Sequence, residues 1–509
     1  MEMKKRPNIL LITTDQQRFD TIRSLGNPLI RTPHIDHLVR NGIAFTSAYS
    51  DCPVCIPARW TLMNGLRAAS YQHAYYQDRE PLAVDPARSL PGLLSGAGYQ
   101  THAVGKMHFW PERARYGFDS VRLPRDYYRY MEKHPHLGRP MMHGIGQNEM
   151  YPAMATVAEP QTLTAWTVDE SIDFLETRDP TCPFFLWTSF SKPHPPLDPP
   201  EPYYSMYRDK QVPEPAVGDW TEGLNDKAGH IWDDRGHPED FLPRDVRDDA
   251  LRAYYGLITQ IDYNLGRLFA RLNEMGIWEE TMILLTSDHG EMFGDHHGYG
   301  KAMFFEGSAH VPFIVKPPKS IGNKESAPSS EGMPLAAPFG WQPGTRCAIP
   351  VGLCDVLPTV MGVAGVSLVR HDVPTDGINV LTLLVPTEME RHALGDPVRY
   401  AMGEVSGDHP KHFITDGRWK YIHHLNGGQT LLFDLQTDPK ELTNLTEDIR
   451  YDGERNRLEA EIKHRLRAVG HTDLDVTGAW VDQAADPVCR KNESFPGLHS
   501  THYEIDVLH

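Results

Sequence analysis

The sequence predicts an α/β protein with a large doubly wound mixed sheet flanked by helices, followed by a smaller antiparallel sheet with one helix. Several continuous apolar, β-branched runs are typical of strands that are buried on both faces of a parallel sheet. Segments with helical periodicity lie between these runs, and that alternation favours a doubly wound domain. After about residue 395 the pattern changes to short strand candidates separated by turns.

The first predicted domain, residues 1–395, has four runs with strand character, at residues 7–14, 184–190, 281–286 and 311–315. Two segments have the spacing of amphipathic helices, at residues 167–178 and 248–275. Residues 320–344 are rich in Pro, Gly and Ser, which predicts a surface insertion.

The second predicted domain, residues 396–509, has four short strand candidates, at residues 400–405, 412–415, 419–423 and 430–435. A helix is predicted from about residue 453 to 469. Residues 470–509 show no clear periodicity, and we interpret them as a tail that wraps the body or a neighbouring subunit, as in a homo-oligomer.

The charge and composition exclude several classes of protein. The chain has 509 residues and a formal net charge of -18, which argues against nucleic acid or an anionic membrane as the main partner. The apolar run at residues 9–12 is too short for a signal peptide, and no stretch approaches a membrane span. The six cysteines are too scattered for a disulfide framework. We therefore expect a cytoplasmic protein.

Cys55 lies at the start of a predicted helix. Pro57 is tolerated in the first turn of a helix, and Gly65 is a typical C-terminal stop. The sulfur is therefore expected at a helix N-terminus, where unpaired N–H groups and the helix dipole favour a bound anion or a thiolate.

Polar residues follow two of the predicted strands. Asp15 and Gln16 come after the first strand, and Asp288 and His289 come after the strand at 281–286. Open α/β sheets build their sites at the carboxyl ends of parallel strands. Oxygen ligands with one imidazole suit a divalent cation, whereas either Asp alone would more often cap a following helix.

Three further blocks carry basic residues. Lys106 and His108 belong to a Gly-Lys-Met-His sequence, His194 lies in a Pro-rich turn, and Lys301 follows a Gly-rich loop. Proline rigidifies the turn that presents His194. Taken singly, each of these residues would more often have a structural role.

The sequence Cys55-x-Pro57-x-Arg59 resembles the signature of the type I sulfatases of the alkaline phosphatase superfamily, in which the Cys is oxidised to formylglycine. The strand-end and basic blocks follow in that family's order along the chain. The resemblance implies an alkaline phosphatase-like fold and one divalent metal per chain, Ca²⁺ as first choice and Mn²⁺ as the alternative. The implied metal ligands are Asp15, Gln16, Cys55, Asp288 and His289. Gln16 departs from the family pattern, which usually has a second Asp there.

The resemblance also implies a mechanism in which hydrated formylglycine attacks the sulfur of a sulfate ester, assisted by the metal and by cations. The implied catalytic residues are Cys55, Arg59, Lys106, His108, His194 and Lys301. Both lysines would hold sulfate oxygens, and His194 would assist the leaving group. Arg59 would orient the nucleophile and His108 would take a proton from it. The implied partners are a small anionic sulfate ester and a formylglycine-generating enzyme.

Three alternatives remain open on the sequence. A phosphonate monoester or phosphodiester hydrolase of the same superfamily is the nearest, because its substrates are also tetrahedral anions. The block of Lys106 and His108 has the sulfatase form and favours sulfate. A redox protein using Cys52 and Cys55, or a metal-binding protein without turnover, are the other two.

The alcohol part of the substrate is not fixed by these motifs, and saccharide, aryl and choline sulfates all remain open. Aromatic residues of the segment 110–152 are candidates for stacking on a substrate ring, or for packing this loop against the body. They are Trp110, Tyr116, Tyr127, Tyr128 and Tyr130.

Overall fold

The structure is a computed structural model that describes residues 6–71, 85–146, 148–221, 242–322, 342–384, 398–406 and 410–484. Most of the predicted insertion at 320–344, the predicted domain boundary at 395/396 and the tail beyond 484 lie outside the described residues. None of the described helices is both long enough and apolar enough to span a membrane.

The described strands are β1 Asn8–Asp15, β2 Ile43–Phe45, β3 Ala48–Tyr49, β4 Gln100–Gly105, β5 Ser120–Arg122, β6 Phe184–Pro193, β7 Thr281–Ser287, β8 Phe313–Lys316, β9 Thr345–Cys347, β10 Val351–Gly352, β11 Ala401–Val405, β12 Lys411–Thr415, β13 Trp419–His424 and β14 Gln429–Asp434. The described α-helices are α1 Pro33–Asn41, α2 Cys55–Asn64, α3 Ala68–Tyr71, α4 Leu90–Gly96, α5 Pro124–Lys133, α6 Leu163–Thr177, α7 Arg244–Glu274, α8 Glu306–Ala309, α9 Lys319–Gly322, α10 Val356–Ala364 and α11 Asp452–Ala468.

The large sheet has eight strands in the order β5-β4-β6-β1-β7-β8-β2-β9. Strands β1, β4, β5, β6 and β7 run parallel, whereas β8 is antiparallel to both of its neighbours, so the sheet is mixed as predicted. The chain order changes direction at β1, which lies between β6 and β7. Such a switch point is where open α/β sheets bind their ligands.

Both faces of the large sheet are covered, which explains the continuous apolar character of β1. Ile9 and Leu11 pack into one hydrophobic core together with residues of α2 and α10. Leu10 and Ile12 pack into a second core, with residues of α1, α6 and α7. A strand that is buried on both faces has no solvent-facing position, so its sequence does not alternate.

Some element boundaries and strands differ from the predictions. Helix α6 begins at Leu163 rather than at residue 167, because the Thr162 side chain caps it by accepting from the Ala165 N–H. Helix α7 likewise begins four residues before its predicted start. Strand β4 is not among the predicted strands, because Gln100–Gly105 reads QTHAVG and has no long apolar run.

The four predicted C-terminal strands are present and form one antiparallel sheet in the order β11-β12-β13-β14, with α11 packed on it. This sheet also contacts the segment that follows β7 of the large sheet. Lys420 is buried and lies 2.9 Å from Glu306 Oε1 and 2.8 Å from Glu441 Oε1. Phe413 stacks on Phe304 with ring centroids 4.4 Å apart. The predicted fold class is therefore confirmed in both of its parts.

Candidate active site

The register of the parallel strands brings the polar strand ends together. Thr14 pairs with Ser287 across β1 and β7, so the following residues, Asp15 and Asp288, are neighbours. On the other side of β1, Gly105 of β4 pairs with Ser189 of β6, which places Lys106 at the same edge. The N-terminus of α2, with Cys55, also lies there, because Cys55 Sγ is 3.7 Å from Asp15 Oδ1.

Four buried side chains form a compact group of metal-ligating atoms. Asp15, Cys55, Asp288 and His289 each offer one such atom, and all four atoms lie within 4.8 Å of one another. His289 Nδ1 donates to the Gly290 carbonyl at 2.9 Å, so Nε2 is the ring nitrogen that faces the group and offers a lone pair whenever the ring is neutral. That Nε2 is 3.1 Å from Cys55 Sγ.

Gln16 supplies an amide oxygen beside this group. Its backbone N–H donates to Asp288 Oδ1 at 3.0 Å, and its side-chain NH₂ donates to Glu291. Gln16 Oε1 is buried and has no hydrogen-bond partner among the described residues. Buried acceptors are normally satisfied, and carboxylate, amide and imidazole ligands fit a divalent cation. The five predicted ligands therefore have the chemistry of a metal site.

Arg59 is fully buried and joins the two carboxylates. Its Nε lies 2.8 Å from Asp288 Oδ2, and its Nη2 lies 3.2 Å from Asp15 Oδ2. Its Nη1 donates to the Lys106 carbonyl at 2.6 Å and to Ser189 Oγ at 2.8 Å. Arg59 therefore positions the carboxylates and ties the ends of β1, β4, β6 and β7 together.

Two lysines place positive charge beside Cys55. Lys301 Nζ lies 2.8 Å from Cys55 Sγ, and Lys106 Nζ lies 2.6 Å from Asp15 Oδ2. Burial and the charge of Asp15 oppose ionisation of the thiol, but Lys301, Lys106 and His289 outweigh them and lower the pKa of Cys55. Burial would likewise raise the pKa of Asp15, yet the surrounding cations, Lys106 first, hold it well below its usual value.

Two histidines at the edge of this group are held neutral. Burial, and then the charge of Lys301, keep the pKa of His194 well below its usual value. His194 Nδ1 donates to the Pro195 carbonyl at 2.8 Å, so its Nε2 accepts from Lys301 Nζ at 3.2 Å. Burial and the charges of Lys106 and Arg59 keep the pKa of His108 low as well. Neutral imidazoles can accept protons during a reaction.

Two residues of the site were not found from the sequence. Ser189 Oγ accepts from Arg59 and donates to the Lys106 carbonyl, and Glu291 holds the Gln16 amide. Glu291 follows Asp288 by three residues, a spacing that could have marked it. Ser189 lies inside the predicted strand at 184–190, where nothing distinguishes it from a core residue.

Gly105 explains how Lys106 reaches this position. A Cβ at Gly105 would lie 1.9 Å from the Ser189 carbonyl oxygen, and the residue has φ +93°. Only glycine fits such a close backbone approach in this conformation. The strand can therefore end against β6 and direct Lys106 to Asp15.

A pocket adjoins the site. It is lined by Lys106, His194, Lys192 and Asp198, together with residues of the segment 110–157. Tyr127 and Tyr128 line it, but three of the five predicted aromatic residues do not. Trp110 is exposed, Tyr116 packs on Phe109 and Tyr130 packs on His134. Of these three residues, only Tyr116 is buried and fits the alternative of packing the loop against the body.

No disulfide joins Cys52 and Cys55. Cys52 is fully buried in the hydrophobic core, whereas Cys55 faces the charged group. The two sulfurs therefore lie in different environments.

Comparison with a solved structure defines the class of protein to which this fold and site belong. The structure resembles that of the phosphonate monoester hydrolase of Agrobacterium radiobacter, with a TM-score of 0.69 and 26% sequence identity over 91% of this chain and 96% of that chain. The chain is thus a member of the alkaline phosphatase superfamily.

Sequence comparison gives the family. The profile described as Sulfatase matches residues 7–366, and the chain belongs to the sulfatase family. The arylsulfatase of Clostridium perfringens (strain 13 / Type A) is 32% identical over 92% of this chain and 96% of the relative. The choline-sulfatase of Rhizobium meliloti (strain 1021) is 28% identical over 94% of this chain and 89% of the relative. The protein is a hydrolase of sulfate esters, and the family predicted from Cys55 and its companion blocks is confirmed.

Proposed function

We propose that this protein releases inorganic sulfate from a small sulfate ester, using a formylglycine formed from Cys55 and one divalent cation bound beside it. The observation that carries this proposal is the position of Cys55 Sγ. It lies 2.8 Å from Lys301 Nζ, 3.1 Å from His289 Nε2 and 3.7 Å from Asp15 Oδ1. An oxygen nucleophile on this side chain would therefore stand between the cationic groups and the metal ligands.

The residues that would hold the cation are Asp15, Gln16, Asp288, His289 and the side chain of residue 55. We propose Ca²⁺ as first choice and Mn²⁺ as the alternative, because oxygen ligands dominate and one imidazole is present. When bound, the cation would supply Lewis-acid polarisation of the reacting oxygens. Arg59 keeps the two carboxylates in place through its fork of hydrogen bonds.

The chain's own cations would bind the sulfate group. Lys106 and Lys301 flank residue 55 from the β4 side and from the loop after β7. Positive charge fixed in a buried site stabilises the negative charge that develops on sulfuryl oxygens in the transition state. The two lysines are therefore proposed to contact the transferring group.

The histidines would move protons. Lys301 Nζ donates to His194 Nε2, so one proton lies between these two atoms and can be offered to the leaving oxygen. His108 is neutral, because burial and the nearby cations lower its pKa, and it is proposed to take a proton from the nucleophile so that sulfate is expelled.

A phosphonate monoester or phosphodiester hydrolase is the second candidate function. It is favoured by the structural similarity to the phosphonate monoester hydrolase of Agrobacterium radiobacter. The site accepts any tetrahedral anion that the two lysines can hold. The order of the two activities is therefore a matter for measurement.

The test combines the mass of the peptide that contains residue 55 with initial rates of hydrolysis. The chain is produced with a formylglycine-generating enzyme and loaded with Ca²⁺ or Mn²⁺. The peptide containing residue 55 is then measured by mass spectrometry. Initial rates are then compared on 4-nitrophenyl sulfate and on a matched 4-nitrophenyl phosphonate, with Cys55→Ala as the control. We expect conversion of Cys55, faster release from the sulfate, and loss of both activities after chelation of the metal.

Two results would contradict the proposal. An unconverted Cys55 in matured, metal-loaded and active protein would remove formylglycine from the mechanism. A faster reaction with the phosphonate would transfer the assignment to the second candidate.

A further inference from the structure

A second group of potential metal ligands lies in the C-terminal part, and none of its residues belongs to the active site. Glu404 of β11, His412 of β12 and His471, which follows α11, each offer one ligand atom, and these atoms lie within 4.8 Å of one another. The residues are 1%, 1% and 7% exposed, respectively. The ligand atoms therefore meet where two strands of the small sheet contact the segment that follows α11.

Two atoms of this group are acceptors that face each other. His412 Nε2 is 2.7 Å from Asp473 Oδ2 and donates to it, so His412 Nδ1 carries the lone pair. His412 Nδ1 lies 3.9 Å from Glu404 Oε2. His412 Nδ1 has no hydrogen-bond partner within the described part of the chain, and the contact of Glu404 Oε2 is an ion pair with His471 Nε2. Burying an unsatisfied acceptor is costly, and a cation between the two atoms would satisfy His412 Nδ1 and keep the Glu404 carboxylate paired.

His471 completes the group. Its Nε2 lies 2.8 Å from the same Glu404 Oε2, a contact that is an ion pair when His471 is protonated. Its Nδ1 lies 3.7 Å from Asp473 Oδ2 and accepts from the Asp473 N–H at 3.2 Å. A change of tautomer that directs Nδ1–H at the Asp473 carboxylate would leave the Nε2 lone pair available to a metal.

Asp473 thus contacts the outer nitrogen of both imidazoles. A carboxylate that holds the far ring nitrogen of a histidine is the usual support of a zinc ligand, since it fixes the tautomer and orients the ring. Glu404 and Asp473 also bring two negative charges, which match the charge of one divalent ion.

We propose that Glu404, His412 and His471 bind one Zn²⁺, with Asp473 supporting both histidines. Two imidazoles and one carboxylate favour zinc over the hard cations, which prefer oxygen ligands throughout. Zinc bonds of about 2.0–2.1 Å place tetrahedral ligands about 3.3 Å apart. The separations of Glu404 Oε2 from the two histidine nitrogens, 2.8 and 3.9 Å, lie on either side of that value.

The ion would fasten the segment after α11 to the edge of the small sheet. Trp480, further along this segment, stacks on His412 with ring centroids 5.3 Å apart and on His423 at 4.4 Å. The segment therefore already covers the sheet, and zinc would fix its start at His471. The site is structural and separate from sulfate ester hydrolysis.

The experiment counts zinc in the full-length chain. A Cys55→Ala, His289→Ala background removes the sulfur and the imidazole of the active site, which leaves only oxygen ligands there and lowers its affinity for zinc. The protein is stripped with a chelator, dialysed against Zn²⁺ and measured by mass spectrometry for metal. We expect one zinc per chain, none after adding His412→Gln, and one after adding His423→Gln.

His423→Gln is the matched control. His423 lies under the same Trp480 and contacts Asp482 at 2.8 Å, but it is not one of the three ligands. X-ray absorption at the zinc edge of the background protein tests the ligands without altering the group, and two imidazoles are expected. A background protein without zinc, retention of zinc by folded His412→Gln protein, or a spectrum without two imidazoles would overturn the proposal.

Discussion

Replacing Lys301 with methionine tests the electrostatic part of the proposed mechanism most directly. The substitution keeps most of the side-chain volume and removes a charge whose Nζ is 2.8 Å from Cys55 Sγ. A transferring oxygen at about 3 Å that gains about half a unit of negative charge is stabilised by about 2.8 kcal/mol at an effective dielectric constant of about 20. A loss of that size lowers the rate roughly 100-fold, which lies within the range of about 100- to 1,000-fold known for removal of one such group.

The assay is steady-state hydrolysis of 4-nitrophenyl sulfate by matured, metal-loaded protein. Rates are normalised to the fraction of formylglycine found by peptide mass spectrometry, because the substitution also alters the surroundings of Cys55 during maturation. Lys192→Met is the control. Lys192 lines the adjoining pocket and pairs with Asp198, and no described contact links it to Cys55.

We expect kcat/KM to fall roughly 100-fold in Lys301→Met, mainly through kcat, as for an interaction made chiefly in the transition state. In Lys192→Met we expect kcat to change by less than about threefold, which is under about 0.7 kcal/mol. The reasoning is refuted if normalised kcat/KM of Lys301→Met stays within about threefold of the unsubstituted protein, or if the two variants lose kcat equally.

Two predictions concern stability. Burial raises the pKa of Asp262 from its ordinary 3.8 to about 7, so between these values the folded protein keeps a proton that the unfolded chain has lost. Stability from this group is therefore complete below pH 3.8 and is lost as the pH rises to about 7. Urea unfolding across this range should show that this group's contribution to the free energy of unfolding falls by about 4 kcal/mol, and that Asp262→Asn abolishes this fall. An unchanged pH dependence in Asp262→Asn would contradict the assignment. Gly105→Ala should destabilise the protein by more than about 1 kcal/mol, because it adds a clash to the strain of a positive φ. Gly98→Ala, at φ +88° with open space around its Cβ, should cost less in the same thermal unfolding assay, and equal losses would remove the steric argument.

The fold class was predictable because its signals are local. A run such as Ile9 to Ile12 shows that a strand is covered on both faces, whichever helices cover it. Gly65 ends α2 in the left-handed conformation that its residue type favours, with its N–H bonded to the Thr61 carbonyl at 2.8 Å. Strand β4 was missed because its apolar signal is short, although its closing Gly105 was noted as part of a motif.

The chemical composition of the site was also predictable, while its contacts were not. Asp15, Cys55 and Asp288 could be singled out by their places at strand ends and at a helix start. The sequence could not show which cation neutralises which carboxylate, since Arg59 contacts both Asp15 and Asp288. Such pairings depend on the register between strands and not on the residues next to each group.

The sequence by itself determined the alternation of strands and helices, the end of α2 at Gly65 and the residue types available for catalysis, because each depends on neighbours within a few positions. Only the tertiary structure decided that Ser189 supports Arg59 and that Lys301 meets His194 across 107 residues. It also decided that Glu404, His412 and His471 share one buried space. Contacts between residues distant in sequence arise from sheet register and packing, and no local pattern of side chains encodes them.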